Sequence, residues 1–260
     1  MDILLSDISD GRATLTLNRP DVHNAFDDVL ITRLTGELQA LDSNPDVRAV
    51  VLAAAGKSFS AGADLKWMQR MAGYSEAENL ADAEALAELM KTLNGMTKPT
   101  IARVQGAAFG GGVGLIACCD IAIAADTAQF SISEVRLGLI PAVISPYVVA
   151  AIGERQARRY VLSAERFDAT EARRIGLVHS VVAAGDLDAA VDDLVGAISA
   201  NGPEAVAEAK KMIALVARRP IDDGLIGDTA ARIARIRVSG EGREGLAAFL
   251  EKRKPGWDQS

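Results

Sequence analysis

The chain has 260 residues, 49% hydrophobic and 24% charged, enough apolar material to bury a core, which excludes disordered and fibrous classes. A formal net charge of −7 with 4% aromatic residues argues against a nucleic-acid interface or an anionic-membrane surface, both of which depend on basic patches. The opening Met1-Asp2-Ile3-Leu4-Leu5-Ser6-Asp7 turns polar too soon for a basic leader or a bilayer span, so a cytoplasmic protein without membrane partners is expected.

Short apolar, β-branched runs at residues 13–17, 47–52, 100–104 and 121–124 are bounded by Asn, Pro, Gly or Asp and read as strands. Helical patterns lie between them. Leu30, Leu34, Leu38 and Leu41 recur at helical spacing, and residues 80–93 are rich in Ala, Leu, Glu and Met. Strand and helix therefore alternate, which favours an α/β layout with ligand loops at strand ends. After Pro146 the composition turns helical. Asp168-Ala169-Thr170-Glu171 has the pattern of a capped helix start and Gly176 that of a stop. A last strand near 178–182 precedes helical segments at 187–198, 204–217, 222–238 and 244–251.

Two glycine segments stand where an apolar strand gives way to a helix, the place where backbone N–H groups lack partners. They are Ser60-Ala61-Gly62-Ala63-Asp64-Leu65 and Gly106-Ala107-Ala108-Phe109-Gly110-Gly111-Gly112-Val113-Gly114. Downstream, Glu134 sits among apolar Ile132, Val135 and Leu137, where desolvation raises a carboxyl pKa toward working pH and suits an acid/base role. The triple glycine lacks the Gly-Lys-Ser/Thr ending of a phosphate loop and the Gly-x-Gly-x-x-Gly register of a dinucleotide site. Adjacent Cys118 and Cys119 read as core filler, and neither His23 nor His179 has ligand-spaced neighbours, so no metal is expected.

The order and spacing of these three elements resemble the crotonase (enoyl-CoA hydratase/isomerase) family from about Ala13 to the C-terminus. Further matches are Asn18-Arg19-Pro20, Lys98-Pro99-Thr100-Ile101-Ala102, Cys119-Asp120-Ile121-Ala122 and Gly176-Leu177-Val178. The resemblance implies an α/β spiral of ββα units over residues 1–195 and a helical trimerisation region over 196–260, giving a homotrimer or a dimer of trimers. It implies an acyl-CoA substrate and no cofactor besides the coenzyme A that the substrate carries. The amides of Ala63 and Gly111 would form the oxyanion hole for a thioester enolate, with Glu134 as acid/base. The first glycine segment would bind coenzyme A through Ala61, Ala63, Asp64 and Leu65, with Lys66 beside them, although Asp64 is better read as a helix cap. Lys66 and Arg70 are the expected partners of the phosphates.

Hydratases of this family use two glutamates, and the position matching the first is Gly114 in this chain. The combined text of Asp64-Leu65-Lys66-Trp67-Met68, Cys118-Cys119-Asp120 and Ile140-Pro141-Ala142-Val143-Ile144-Ser145-Pro146-Tyr147 looks most like the methylglutaconyl-CoA hydratase branch. That branch acts on branched, carboxylated acyl-CoAs in leucine or acyclic-terpene breakdown. On this reading Glu134 serves both proton transfers, vacant space at Gly114 accommodates the C3 substituents, and Arg136 is a candidate for the distal carboxylate. A Δ3,Δ2-enoyl-CoA isomerase with Glu134 as single acid/base is the alternative, and a non-catalytic CoA- or RNA-binding scaffold stands below both.

Overall fold

The computed structural model describes residues 2–217 and 219–258. The chain opens with a hairpin of β1 (Leu4–Ser9) and β2 (Arg12–Leu17), then α1 (Asp28–Ser43). Three passes of one pattern follow. In each, a longer strand is succeeded by a short one and then by helix: β3 (Ala49–Ala54), β4 (Ser58–Ser60), α2 (Leu65–Met71) and α3 (Glu76–Gly95); β5 (Thr100–Val104), β6 (Ala107–Phe109) and α4 (Gly111–Cys118); β7 (Ile121–Ala125), β8 (Gln129–Ser131) and α5 (Ser145–Ser163). The longer strands build a six-stranded sheet ordered β1-β2-β3-β5-β7-β10, and the short ones a four-stranded sheet ordered β4-β6-β8-β9. The added members are β9 (Phe167–Asp168) and β10 (Ser180–Val182), with α6 (Ala169–Arg174) between them. Pairing is parallel except for β1 with β2 and β8 with β9. This is the expected spiral of ββα units.

The burial pattern explains why the strands read as they do. In β2, Ala13, Leu15 and Leu17 are buried while the residues between them are half-buried, as suits a strand beside the sheet edge. All six residues of β3 are buried, because helices cover both faces. Val50 and Leu52 join a core with Leu30, Leu34 and Leu38 of α1 and Leu89 and Leu93 of α3. Val51 points the other way and packs with Ile101, Ile123 and with Leu187, Val191 and Val195 of α7 (Leu187–Ser199). The expected boundary at residue 195 thus falls inside a helix that packs on the sheet. Beyond it lie α8 (Pro203–Val216), α9 (Asp223–Val238) and α10 (Gly240–Glu251), which bury few side chains: none in α8, Leu225 in α9 and Ala248 in α10.

Helix ends follow the local chemistry. Asp168 accepts the amide of Glu171 at the start of α6, and Gly176, at φ 88°, turns the chain after it. Cys118 and Cys119 are buried and free, and burial pushes both thiols above their ordinary range. His179 Nδ1 accepts the amide of Ala122, and His23 Nδ1 lies 3.0 Å from Ser58 Oγ, so both imidazoles tie strands to turns. No helix among the described residues is long and apolar enough to cross a membrane.

Candidate active site

The two glycine segments come together because β4 and β6 are parallel neighbours whose C-terminal ends deliver Gly62 and Gly110 to the same edge. Gly62 adopts φ +87°, and a Cβ there would approach Phe109 O to 3.0 Å and Gly111 N to 3.6 Å, so side-chain-bearing residues are excluded on both conformational and steric grounds. Gly110, at φ 50° and ψ −119°, turns the chain into α4.

Both expected oxyanion donors are oriented by the backbone around them. Phe26 and Ala63 form an isolated parallel bridge in which Phe26 N–H donates to Gly62 O and Asp64 N–H donates to Phe26 O. That pairing uses the groups flanking Ala63 and leaves the N–H of Ala63 itself facing the opposite side. Gly111 is the first residue of α4, where N–H groups have no intrahelical acceptor and the helix dipole favours developing negative charge. A Cβ on Gly111 would lie 2.4 Å from Phe26 Cε2, so only glycine fits between that ring and the helix start.

A network of charges holds the first donor in place. Asp64 caps α2 by accepting the amides of Lys66 and Trp67. Arg19, from the Asn18-Arg19-Pro20 turn, donates to Ala25 O at 2.6 Å and bridges Asp64 and Asp27, the cap of α1, at 3.0 Å each. Burial pushes the Asp64 carboxyl up, but the two amides and the Arg19 guanidinium outweigh it and leave the group below its ordinary value.

Glu134 enters from the third pass, at the start of a 3-10 turn (Glu134–Leu137) just after β8. Gly110 N–H donates to Ser131 O at 2.9 Å, which ties this strand end to the second glycine segment. A Cβ placed on Gly110 would lie 3.0 Å from Glu134 Oε1, so the carboxyl group rests against the glycine beside the Gly111 donor. Its Oε2 is buried without a hydrogen-bond partner. Burial raises the Glu134 pKa above its ordinary 4.5, only partly offset by the amides of Glu134 and Ser133. A carboxyl group held in this way, partly desolvated and with one oxygen unpartnered, is placed for acid/base exchange with a bound substrate.

Ala61, Ala63, Leu65, Gly111 and Glu134 line one cavity of about 530 Å³ between α2, α3 and the loop from Leu137 to Ile144. Asp64, Lys66 and Gly114 do not line it. Asp64 is occupied with its cap and with Arg19, and Lys66 is exposed on α2. The expectation of open space at Gly114 is corrected: a Cβ there would lie 2.3 Å from Ile144 Cγ2 and 3.3 Å from Met90 Cε, so the volume belongs to those side chains. Arg136 is likewise corrected as a candidate for a distal carboxylate, because its guanidinium donates to Ala164 O at 2.7 Å and lies off the cavity lining. Arg70 pairs with Asp28 at 2.6 Å on the surface.

Sequence reasoning missed Asp82 of α3, which also lines the cavity and accepts the indole N–H of Trp67 at 3.0 Å. Its only signal is that an acid sits on the α3 face that packs toward Trp67, and this is visible only once the two helices are placed.

The enoyl-CoA hydratase/isomerase family model matches residues 7–260. A crotonase-family structure from Legionella pneumophila is 52% identical, covers 98% of this chain and 99% of its own, and superposes with a TM-score of 0.94. An enoyl-CoA hydratase structure from Shewanella pealeana is 49% identical, with coverage of 98% and 96% and a TM-score of 0.96. A crotonyl-CoA hydratase from Syntrophomonas wolfei is 33% identical over 93% of this chain and 92% of its own length. With the fold, the paired backbone donors and the adjoining glutamate already in place, these matches show that the chain belongs to the enoyl-CoA hydratase/isomerase family.

Proposed function

We propose that the protein is a hydro-lyase that adds water to, or removes it from, an enoyl-CoA thioester. The observation that carries this reading is the unpartnered Glu134 oxygen in the cavity that Ala63 and Gly111 also line. With the thioester oxygen between the two N–H groups, negative charge on an enolate is stabilised as it forms, and loss of one such donor costs about 10²–10³ in rate. Glu134 then exchanges a proton with C2. In the hydration direction it is protonated and delivers; in the dehydration direction it is ionised and removes.

For the substrate, the sequence text favours a branched, carboxylated enoyl-CoA such as 3-methylglutaconyl-CoA. The apolar wall from Leu137 to Ile144 suits a branched acyl group. Lys, Arg and His are absent from the lining among the described residues, so the distal carboxylate has no cation there to meet it. The test is a panel of 3-methylglutaconyl-, 3-methylcrotonyl- and crotonyl-CoA read by mass spectrometry. Water uptake fastest with 3-methylglutaconyl-CoA supports the full reading. Fastest uptake with 3-methylcrotonyl-CoA keeps the branch and removes the carboxylate, and fastest uptake with crotonyl-CoA removes both.

One observation favours a second reading. Ile144 fills the space beside Gly114, so no carboxyl group at that position holds a water, and a single acid/base suffices to carry a proton between C2 and C4 as the double bond shifts. Conversion of a 3-enoyl-CoA to the 2-enoyl isomer without mass gain would establish the isomerase. For the assembly, we propose a trimer, or a dimer of trimers, formed through α8–α10.

A further inference from the structure

The cavity holds a second carboxyl group. Asp82 is half-buried on α3, and among the described residues no Lys, Arg or His lines the cavity to neutralise it. An acid on the outer face of a helix needs no partner, but this one faces the pocket and has a specific one. Trp67 of α2 is buried with 4% exposure, and its single polar hydrogen goes to Asp82 Oδ2 at 3.0 Å. The indole therefore aims the carboxylate and leaves its other oxygen, Oδ1, free to accept. It also clips α2, the helix that follows the Ala63 donor, to α3 across the pocket.

Hydration needs an acceptor of this kind. When water oxygen bonds to C3 and Glu134 delivers its proton to C2, one proton of the water must leave. The position three residues beyond Gly111 is Gly114, with Ile144 in its space, so that proton has no acceptor there.

We propose that Asp82, aimed by Trp67, holds the attacking water and takes its proton, supplying from α3 the second acid that this chain lacks on α4. The balance closes over one turnover: water gives hydroxide to C3 and a proton to Asp82, Glu134 gives its proton to C2, and then Asp82 releases its proton to solvent while ionised Glu134 takes one back. In the reverse direction Asp82 protonates the departing hydroxyl. This rests on the hydratase reading of the site, and it replaces the expectation that Glu134 serves both proton transfers.

The experiment compares Asp82→Asn, Trp67→Phe and Glu134→Gln on whichever panel thioester the wild type hydrates fastest. It also follows deuterium exchange at C2 of the corresponding saturated acyl-CoA in D2O, a reaction that needs Glu134 and the oxyanion donors but no attacking water. Asp82→Asn is expected to lower hydration kcat by about 10²-fold or more, the size of a lost general base. Its exchange rate should stay within about threefold of wild type, since no group acting on C2 has changed. Trp67→Phe, which keeps the buried ring and removes its N–H, should lower hydration by about tenfold with exchange again retained. Hydration by Asp82→Asn at less than about a tenfold loss, or an equal loss of hydration and exchange, overturns the assignment. Full hydration by Glu134→Gln is a separate result, and it would overturn the underlying hydratase reading instead.

Discussion

Glu134 has a buried oxygen without a partner, and this has consequences for both rate and stability. Burial favours its protonated form, so its contribution to stability is present below the ordinary 4.5 and lost as pH rises through the raised folded value. Hydration should therefore fall as pH rises through that value, because the proton donor is lost, and dehydration should fall as pH drops through it, because the base is lost. Glu134→Gln should remove both limbs from the pH–rate profiles. It should also melt at or above the wild-type Tm at neutral pH, since it removes a buried carboxyl oxygen, Oε2, that has no partner, a situation that costs roughly 1–3 kcal/mol. A lower Tm would mean that Oε2 has a partner. At Gly114, a glutamate alone must displace Ile144, and overpacking of this kind costs roughly 1–3 kcal/mol. Gly114→Glu should thus be destabilised, and only the double variant with Ile144→Gly should raise kcat/KM for crotonyl-CoA, as steady-state kinetics with a thermal melt will show. The meeting of Ala63, Gly111 and Glu134 at one cavity is expected from the two glycine segments and the resemblance they carry. The places of Ile144 and Asp82 are not legible in sequence, because a filled volume and a cross-helix hydrogen bond depend on which elements meet.

At the scale of elements, one guanidinium joins the starts of two helices. Arg19 bridges the caps of α1 and α2, with side-chain exposure of 17% for Arg19, 19% for Asp27 and 8% for Asp64. Arg19→Met would leave those two carboxylates facing each other without a cation. The expected loss is roughly 2–4 kcal/mol of stability, because breaking a buried pair leaves an uncompensated charge. It should be accompanied by a fall in kcat as the Ala63 amide loses its support. The stabilising share of Asp64 is present above its ordinary 3.8 and is lost as pH falls through the lowered folded value, so the acid limb of unfolding should flatten in the variant. Urea melts from pH 2 to 7 would check this, and an unchanged acid limb would contradict it. The long strands and helices are legible from apolar runs and helical spacing. The three-residue strands β4, β6 and β8 are too short for any period to register, although they carry the glycine segments and Glu134 to one edge. The hairpin strand β1 was also missed, since only Leu4 of its six residues is buried.

For the whole molecule, the C-terminal helices present an apolar surface that the chain does not cover itself: Ile213 is 68% exposed, Phe249 81% and Leu250 77%. Patches of this kind mark interfaces. Light scattering should give about three or six times the 27.3 kDa chain mass, and Phe249→Asp should lower it, whereas a monomeric wild type would contradict the proposed assembly. The narrower proposal is that chemistry at C2 runs through Glu134, beside the two backbone donors that would hold the thioester oxygen. Glu134→Gln, tested for acyl-CoA binding by calorimetry and for water uptake by mass spectrometry, addresses it most directly. The expected result is wild-type affinity with turnover reduced by about 10²–10⁴, the usual contribution of a general acid–base group. Turnover above about a tenth of wild type would contradict the account, because an amide cannot exchange the C2 proton.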